Sequence, residues 1–207
     1  MERSAENRKR EKERKETYGR KVFPISKSKY FEMDTLTNYQ SQISPSNIKS
    51  VAGEIKISTK QKQLIFKNHN DPSGVVGVED HSIVGQVDDL RKVIVRSSYR
   101  RHVEYQIIDL ASGKIDTIPD YPSFSPSLKY VASNAFYSKD TIHGGLHIYT
   151  IYKGNINLMG KRGAGKWMAD QMFWLDDKTI YAKIVKMEDG DFQKRDFEYV
   201  KIDLNYF

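Results

Sequence analysis

The sequence predicts an all-β protein: a small propeller-like stack of antiparallel sheets, about four blades or part of a propeller, with a charged N-terminal arm. Three observations predict it. A short unit recurs in the second half of the chain. Residues 87–95 read VDDLRKVIV, residues 124–132 read FSPSLKYVA and residues 174–182 read WLDDKTIYA. Each is an apolar residue, a polar turn and a β-prone run, and the starts lie 37 and 50 residues apart, the spacing of propeller blades. Strand–turn–strand patterns follow the first two units, at 104–118 (EYQIIDLASGKIDTI) and 146–158 (LHIYTIYKGNINL), and 198–204 (EYVKIDL) nearly copies 104–110. Finally, the 13 Tyr, 9 Phe and 2 Trp among 207 residues suit the pleated, half-buried surface of a sheet.

The elements follow in order. Residues 2–16 (ERSAENRKREKERKE) are good helix formers without an apolar stripe, so residues 1–20 form a solvated helical or disordered arm. Residues 1–30 carry 11 Lys or Arg against 5 Glu, whereas the remaining 177 carry 23 against 22. The +7 charge therefore belongs to the arm, and the body, 21–207, is nearly neutral. From residue 21 the β signals dominate. Residues 29–43 (KYFEMDTLTNYQSQI) align with 104–118, and 29–36 are expected to complete a blade with C-terminal strands. Residues 43–52 echo 124–132, and 63–67 (QLIFK) read as a strand. Residues 68–74 (NHNDPSG) form a loop, because Asn, Asp, Pro, Ser and Gly favour turn geometry. Two short strands fall within 75–87. Gly113 and Gly154 occupy equivalent places and supply the positive φ of hairpins. Residues 138–145, 160–165 and 187–196 are further breaks. No long amphipathic helix is expected after Gly19, and an open stack of sheets or a twisted sandwich of hairpins is the alternative architecture.

The segment 121–133 (YPSFSPSLKYVAS), followed by an I-Y-x-I-x-x-G-x-I hairpin, resembles the blade repeat of TolB-like and WD-related β-propellers. In that family an aromatic-Ser-Pro-Asp-Gly-Lys turn leads into the second strand. Here Ser127 and Leu128 replace the Asp-Gly, and 173–182 keeps Asp176 and Asp177 without the Ser-Pro. The resemblance covers residues 83–207 well and 29–82 loosely. It implies a fold and brings no catalytic residues with it.

Each candidate for chemistry has a structural alternative. Residues 160–166 (GKRGAGK) fit the spacing of a phosphate loop. The next residue, however, is Trp167 rather than the Ser/Thr that holds magnesium, and no helix pattern follows. No nucleotide is expected there. His143 and His147 lack a third ligand for a metal. The group His69, Asp71, Glu79, Asp80 and His81 lacks a regular calcium-loop spacing. Arg100, Arg101, His102 and Glu104 read as a charged inter-strand turn, and Asp109 and Asp203 as repeated turn holders. With no cysteine, disulfides, thiolate metal sites and cysteine nucleophiles are excluded. No serine sits in a G-x-S-x-G elbow. Neither a metal nor a cofactor is expected.

The functional expectation is a non-enzymatic protein-binding module that uses loops of a β scaffold: an accessory, adaptor or toxin-neutralising protein. Its partner surface is placed on Lys161, Arg162 and Lys166, with a partly exposed Trp167 beside them, because cations next to an indole are the composition of a hot spot. Two alternatives come from other classes. One is an envelope-associated TolB-like accessory protein tethered by its arm; the other is a regulatory propeller domain of a hydrolase. Strong nucleic-acid binding is disfavoured, because the arm mixes Glu with its cations and each Glu opposes counterion release. As written, the sequence suits the cytoplasm; with a removed export signal it suits the periplasm or envelope, where membrane contact would be peripheral.

Overall fold

The computed structural model describes residue 12 and residues 22–36, 42–68, 80–99, 102–135, 145–163, 167–186 and 197–206. The chain enters through strand β1 (Val22–Ile25) and helix α1 (Lys27–Leu36) and then builds four antiparallel sheets. Sheet I holds β2 (Ser50–Val51), β3 (Glu54–Ser58) and β4 (Gln63–Lys67). Sheet II holds β5 (Asp80–Val87), β6 (Lys92–Ser98), β7 (Val103–Asp109) and β8 (Ile115–Ile118). Sheet III holds β9 (Ser123–Phe124), β10 (Tyr130–Ala135), β11 (Gly145–Tyr152) and β12 (Asn155–Arg162). Sheet IV has the order β1-β15-β14-β13, from β13 (Trp167–Asp176), β14 (Thr179–Lys186), β15 (Phe197–Asp203) and the N-terminal strand.

An N-terminal segment does complete the last sheet, but it is not 29–36. Val22 pairs with Ile202 and Ile25 with Tyr199, while the expected strand at 29–36 is part of α1. Local capping and a tertiary contact decide this. The Lys29 amide donates to Ser26 Oγ at 3.1 Å and the Tyr30 amide to the Ser26 carbonyl at 3.1 Å, closing the first turn. Tyr30 is then buried against Phe173 and Tyr199, with ring centroids 5.3 and 5.0 Å away. Desolvation pushes its hydroxyl up to about 12.

Side-chain alternation makes the sheets stack in series. Ile55 and Ile57 of sheet I meet Val93, Val95 and Ile108 of sheet II. The opposite face of sheet II, with Ile94, Tyr105 and Ile107, meets Phe124, Val131 and Tyr149 of sheet III. Ala132, Leu146 and Ile148 on the other face of sheet III meet Trp167, Trp174, Ile180 and Val200 of sheet IV. The far face of sheet IV packs Phe173 and Tyr181 under α1. At the other extreme, sheet I turns Glu54 outward, paired with Lys67 at 2.8 Å and Lys56 at 3.3 Å. Among the described residues no hydrophobic cluster joins sheet I to sheet IV.

The two ends of the sheets differ. One end gathers short turns that are tied to one another. Lys60 N–H donates to the Leu110 carbonyl at 3.0 Å and Leu110 N–H to the Arg91 carbonyl at 2.9 Å. Lys114 Nζ reaches Asn155 Oδ1 at 3.0 Å, and Ser127 N–H donates to Asp177 Oδ1 at 2.9 Å. Gly113 (φ 70°) and Gly154 (φ 77°) take the left-handed conformation expected of them. Leu128 (φ 59°), in the turn between β9 and β10, takes it as well.

The repeated acid of the two near-copies holds a turn in both. Asp109 Oδ1 accepts from the amides of Ala111 and Ser112 and from the Ser112 hydroxyl, at 2.8–3.0 Å. Its Oδ2 meets the wholly buried Lys92 ammonium at 3.2 Å. Burial alone would raise this carboxyl, but the Ser112 donors and Lys92 outweigh it and hold it at about 2. Asp203 Oδ1 likewise accepts from the Asn205 amide at 2.9 Å.

A candidate functional site across three sheets

A cleft of about 400 Å³ runs beside β9 and the first half of β13 and reaches the end opposite the short turns. Three segments build it: the connection from β8 to β9 with residues 120–124, the start of β13 with residues 169–172, and residues 42–43 of the chain that follows α1. Asn134, near the end of β10, also lines it. Each wall is held by a specific device. Ser133 Oγ accepts from the Asp120 amide at 3.1 Å and donates to the Asp120 carbonyl at 3.0 Å, which fixes the backbone there. The buried Asn134 side chain donates to the Ala169 carbonyl at 2.5 Å and accepts from the Ala169 amide at 3.3 Å. It thereby pins β13 beside a bulge between Ala169 and Gln171. Bulges re-aim side chains at sheet edges, and Asp170, the extra residue, reaches Lys183 Nζ at 2.7 Å. The third wall is strapped to β5 by two bonds of 2.8 Å between the backbones of Ser44 and Gln86.

Asp120 is the chemically distinctive group of the cleft. One carboxylate oxygen, Oδ1, accepts from the Tyr121 amide at 2.7 Å. Burial raises its pKa above the usual carboxylate value, and the Tyr121 amide only partly opposes this. Tyr121 itself is 46 % exposed and stands edge-on to Tyr105, with centroids 5.7 Å apart. The site thus offers a desolvated carboxylate, a fixed aromatic ring, carboxamides from Gln42 and Gln171, and apolar surface from Ile43, Pro122 and Met172.

The residues nominated from sequence divide differently. Lys161 and Arg162 extend β12, opposite His147 and Leu146 of β11, at the same end of the sheets as the cleft. Lys161 is exposed; Arg162 is half-buried and donates from Nη1 to the Lys161 carbonyl at 2.8 Å. Lys166 lies outside the described residues. Trp167 corrects the expectation of an exposed indole, since it is wholly buried in the core between sheets III and IV. Gly163 is the physical reason. A Cβ at Gly163 would stand 2.5 Å from the indole ring, so only glycine lets the ring lie flat under this backbone. The phosphate-loop pattern begins inside strand β12, so residues 160–162 are strand rather than the expected break, and β13 follows at Trp167.

The remaining nominees are mostly structural. Buried His147 lies 3.3 Å from the Tyr149 hydroxyl and buried His81 2.8 Å from Ser97 Oγ. His102 stacks on Tyr99, whose hydroxyl donates to Glu104 at 2.8 Å. His69, Asp71, Glu79, Arg100, Arg101 and His143 lie outside the described residues, as does the arm apart from residue 12. Among the described residues no three potential metal ligands come together, and no helix is long and apolar enough to cross a membrane.

Sequence reasoning missed Asp120 and Asn134. The run 119–122 (PDYP) is a local signal for a rigid connection. Nothing in the spacing announces that residues 120, 134 and 170 converge. Comparisons with protein-family models, with curated proteins and with solved structures give no match for the chain.

Proposed function

We propose that the protein is a non-enzymatic binding module, that its four sheets act as blades of a propeller-like arc, and that it engages a protein partner at the cleft end. The observation that carries this reading is the difference between the two ends. At one end the turns are stitched to each other by hydrogen bonds of 2.9–3.0 Å, which makes a rigid base. At the other end the cleft combines a half-exposed aromatic ring, a desolvated carboxylate and apolar walls, with Lys161 exposed at the same end. Binding residues concentrate on connections that a rigid scaffold positions, and an anchoring pocket ringed by polar groups is the anatomy of a protein-binding hot spot. The propeller-like reading is supported by three four-stranded antiparallel sheets, by their serial packing, and by an N-terminal strand that completes the last sheet. A fold of this kind does not by itself dictate a function, so the argument rests on the site.

Site-specific photo-cross-linking in extracts of the native host tests the reading. A photoreactive residue placed at Tyr121 or at Lys161 is expected to give a discrete protein adduct. The same residue at Lys178, exposed among the short turns, is expected to give none. Equal adducts at Lys178, or none at Tyr121 and Lys161, would overturn it.

A further inference from the structure

We infer that the cleft receives a cationic side chain of the partner, an arginine or lysine, with Asp120 as its counter-charge. The inference deepens the protein-binding reading above and depends on it. Its starting point is a comparison among the acids of the molecule. Asp109, Asp116 and Asp170 each have a lysine ammonium within 3.2 Å. Asp120 makes no ion pair with the described residues; its Oδ1 accepts from the adjacent Tyr121 amide. A carboxylate withdrawn from water without a cation is costly, and a cation brought to it recovers that cost. Burial keeps this carboxyl above its usual range, as expected of an acid that lacks a counter-charge.

The shape of the cleft narrows the class of ligand. Ile43, Pro122 and Met172 offer apolar surface, which suits the alkyl stem of Arg or Lys rather than a small inorganic ion. Tyr121 adds an exposed ring on which a guanidinium can lie. Its edge-on contact with Tyr105 limits the rotamer freedom that binding would otherwise remove. An anionic ligand would face the Asp120 carboxylate, whereas Asp170 is already paired with Lys183. A neutral polyol would leave the Asp120 charge unanswered. The cleft volume of about 400 Å³ lies in the range of small-ligand sites.

The test uses the full chain, labelled with ¹⁵N, and titrates N-acetylarginine N-methylamide as a probe of the side chain alone. The citrulline analogue, which is neutral and nearly isosteric, serves as the control. Saturable shifts are expected at the amides of Asp120, Tyr121 and Gln171, with at least tenfold weaker binding of the citrulline analogue. Asp120→Asn is expected to lose at least tenfold in affinity for the arginine probe, while its thermal midpoint equals or exceeds that of the parent. The midpoint separates lost recognition from lost folding. Equal binding of both analogues, or parent-like binding by Asp120→Asn, overturns the inference. If the arginine probe does not bind while the Tyr121 cross-link still forms, protein binding stands and the cationic occupant falls. If neither is seen, both fall.

Discussion

Trp174→Phe is expected to cost about 2 kcal/mol of stability, whereas the same exchange at Trp167 should cost little or even stabilise. Both indoles are fully buried in the same core between sheets III and IV, so their apolar terms match. Trimming Trp to Phe empties on the order of 40 Å³, worth about 1 kcal/mol at roughly 24 cal/mol per Å³. The polar terms differ in sign. Trp174 Nε1 donates to the Ser123 carbonyl at 3.1 Å and so ties β13 to β9; losing that bond costs about 1 kcal/mol more. Trp167 Nε1 is buried without an acceptor among the described residues, and removing an orphaned donor relieves about 1–3 kcal/mol, which offsets the cavity. The two variants should therefore differ by about 2 kcal/mol or more. With a urea slope of about 2 kcal/mol per M, the midpoints would separate by about 1 M. Far-UV circular dichroism follows the unfolding, and in each variant the remaining Trp serves as a fluorescence reporter. Equal losses in the two variants would refute the reasoning, because they would mean that the indole N–H groups contribute nothing at either site.

Three further outcomes are expected. A chain that starts at Lys21 should keep the parent's thermal midpoint, while one that starts at Lys27 should lose several degrees, because it lacks β1 and its four register pairs with β15; a large drop in the first chain would show that the arm docks on the body. Acid should weaken the fold through Asp109. Its folded-state pKa of about 2 lies below the ordinary value, so its contribution is complete above about pH 4 and is lost as the pH falls towards 2; Asp109→Asn should be less stable at neutral pH and show a flatter acid limb in urea titrations, and an unchanged limb would contradict the assignment. Gly85→Ala should cost about 1–3 kcal/mol, because the added Cβ would stand 2.5 Å from the Ser44 carbonyl oxygen and 2.6 Å from Ile43 Cγ2. Hydrogen exchange at the Gln86 amide should quicken in that variant, and parent-like protection would argue against the clash.

The sequence alone determined the β class, the strand pairs β6–β7 and β11–β12 and the turns at Gly113 and Gly154, because these are encoded within a few residues; the strand that closes sheet IV, which the sequence places at 29–36, is β1 instead. Alternation, turn formers and the repeated Asp109 and Asp203 need no distant partner to be recognised. Buried runs such as Val93–Ile94–Val95 are wholly buried, since sheet II is covered on both faces, and a sheet covered on both faces reads as a continuous apolar run. Trp174 and Phe124, fifty residues apart in the repeat, are both core residues that face the preceding sheet. Only the tertiary structure decided that Trp167 joins Trp174 in the core, because the burial of Trp167 depends on the missing Cβ of Gly163 beside its ring. Only it made 27–36 a helix, since the aromatic face of sheet IV supplies the surface on which Tyr30 packs. The cleft is the extreme case. Asp120, Asn134 and Asp170 come from three segments, and the distances among them follow from how whole sheets stack, a relation that no local pattern of residues carries.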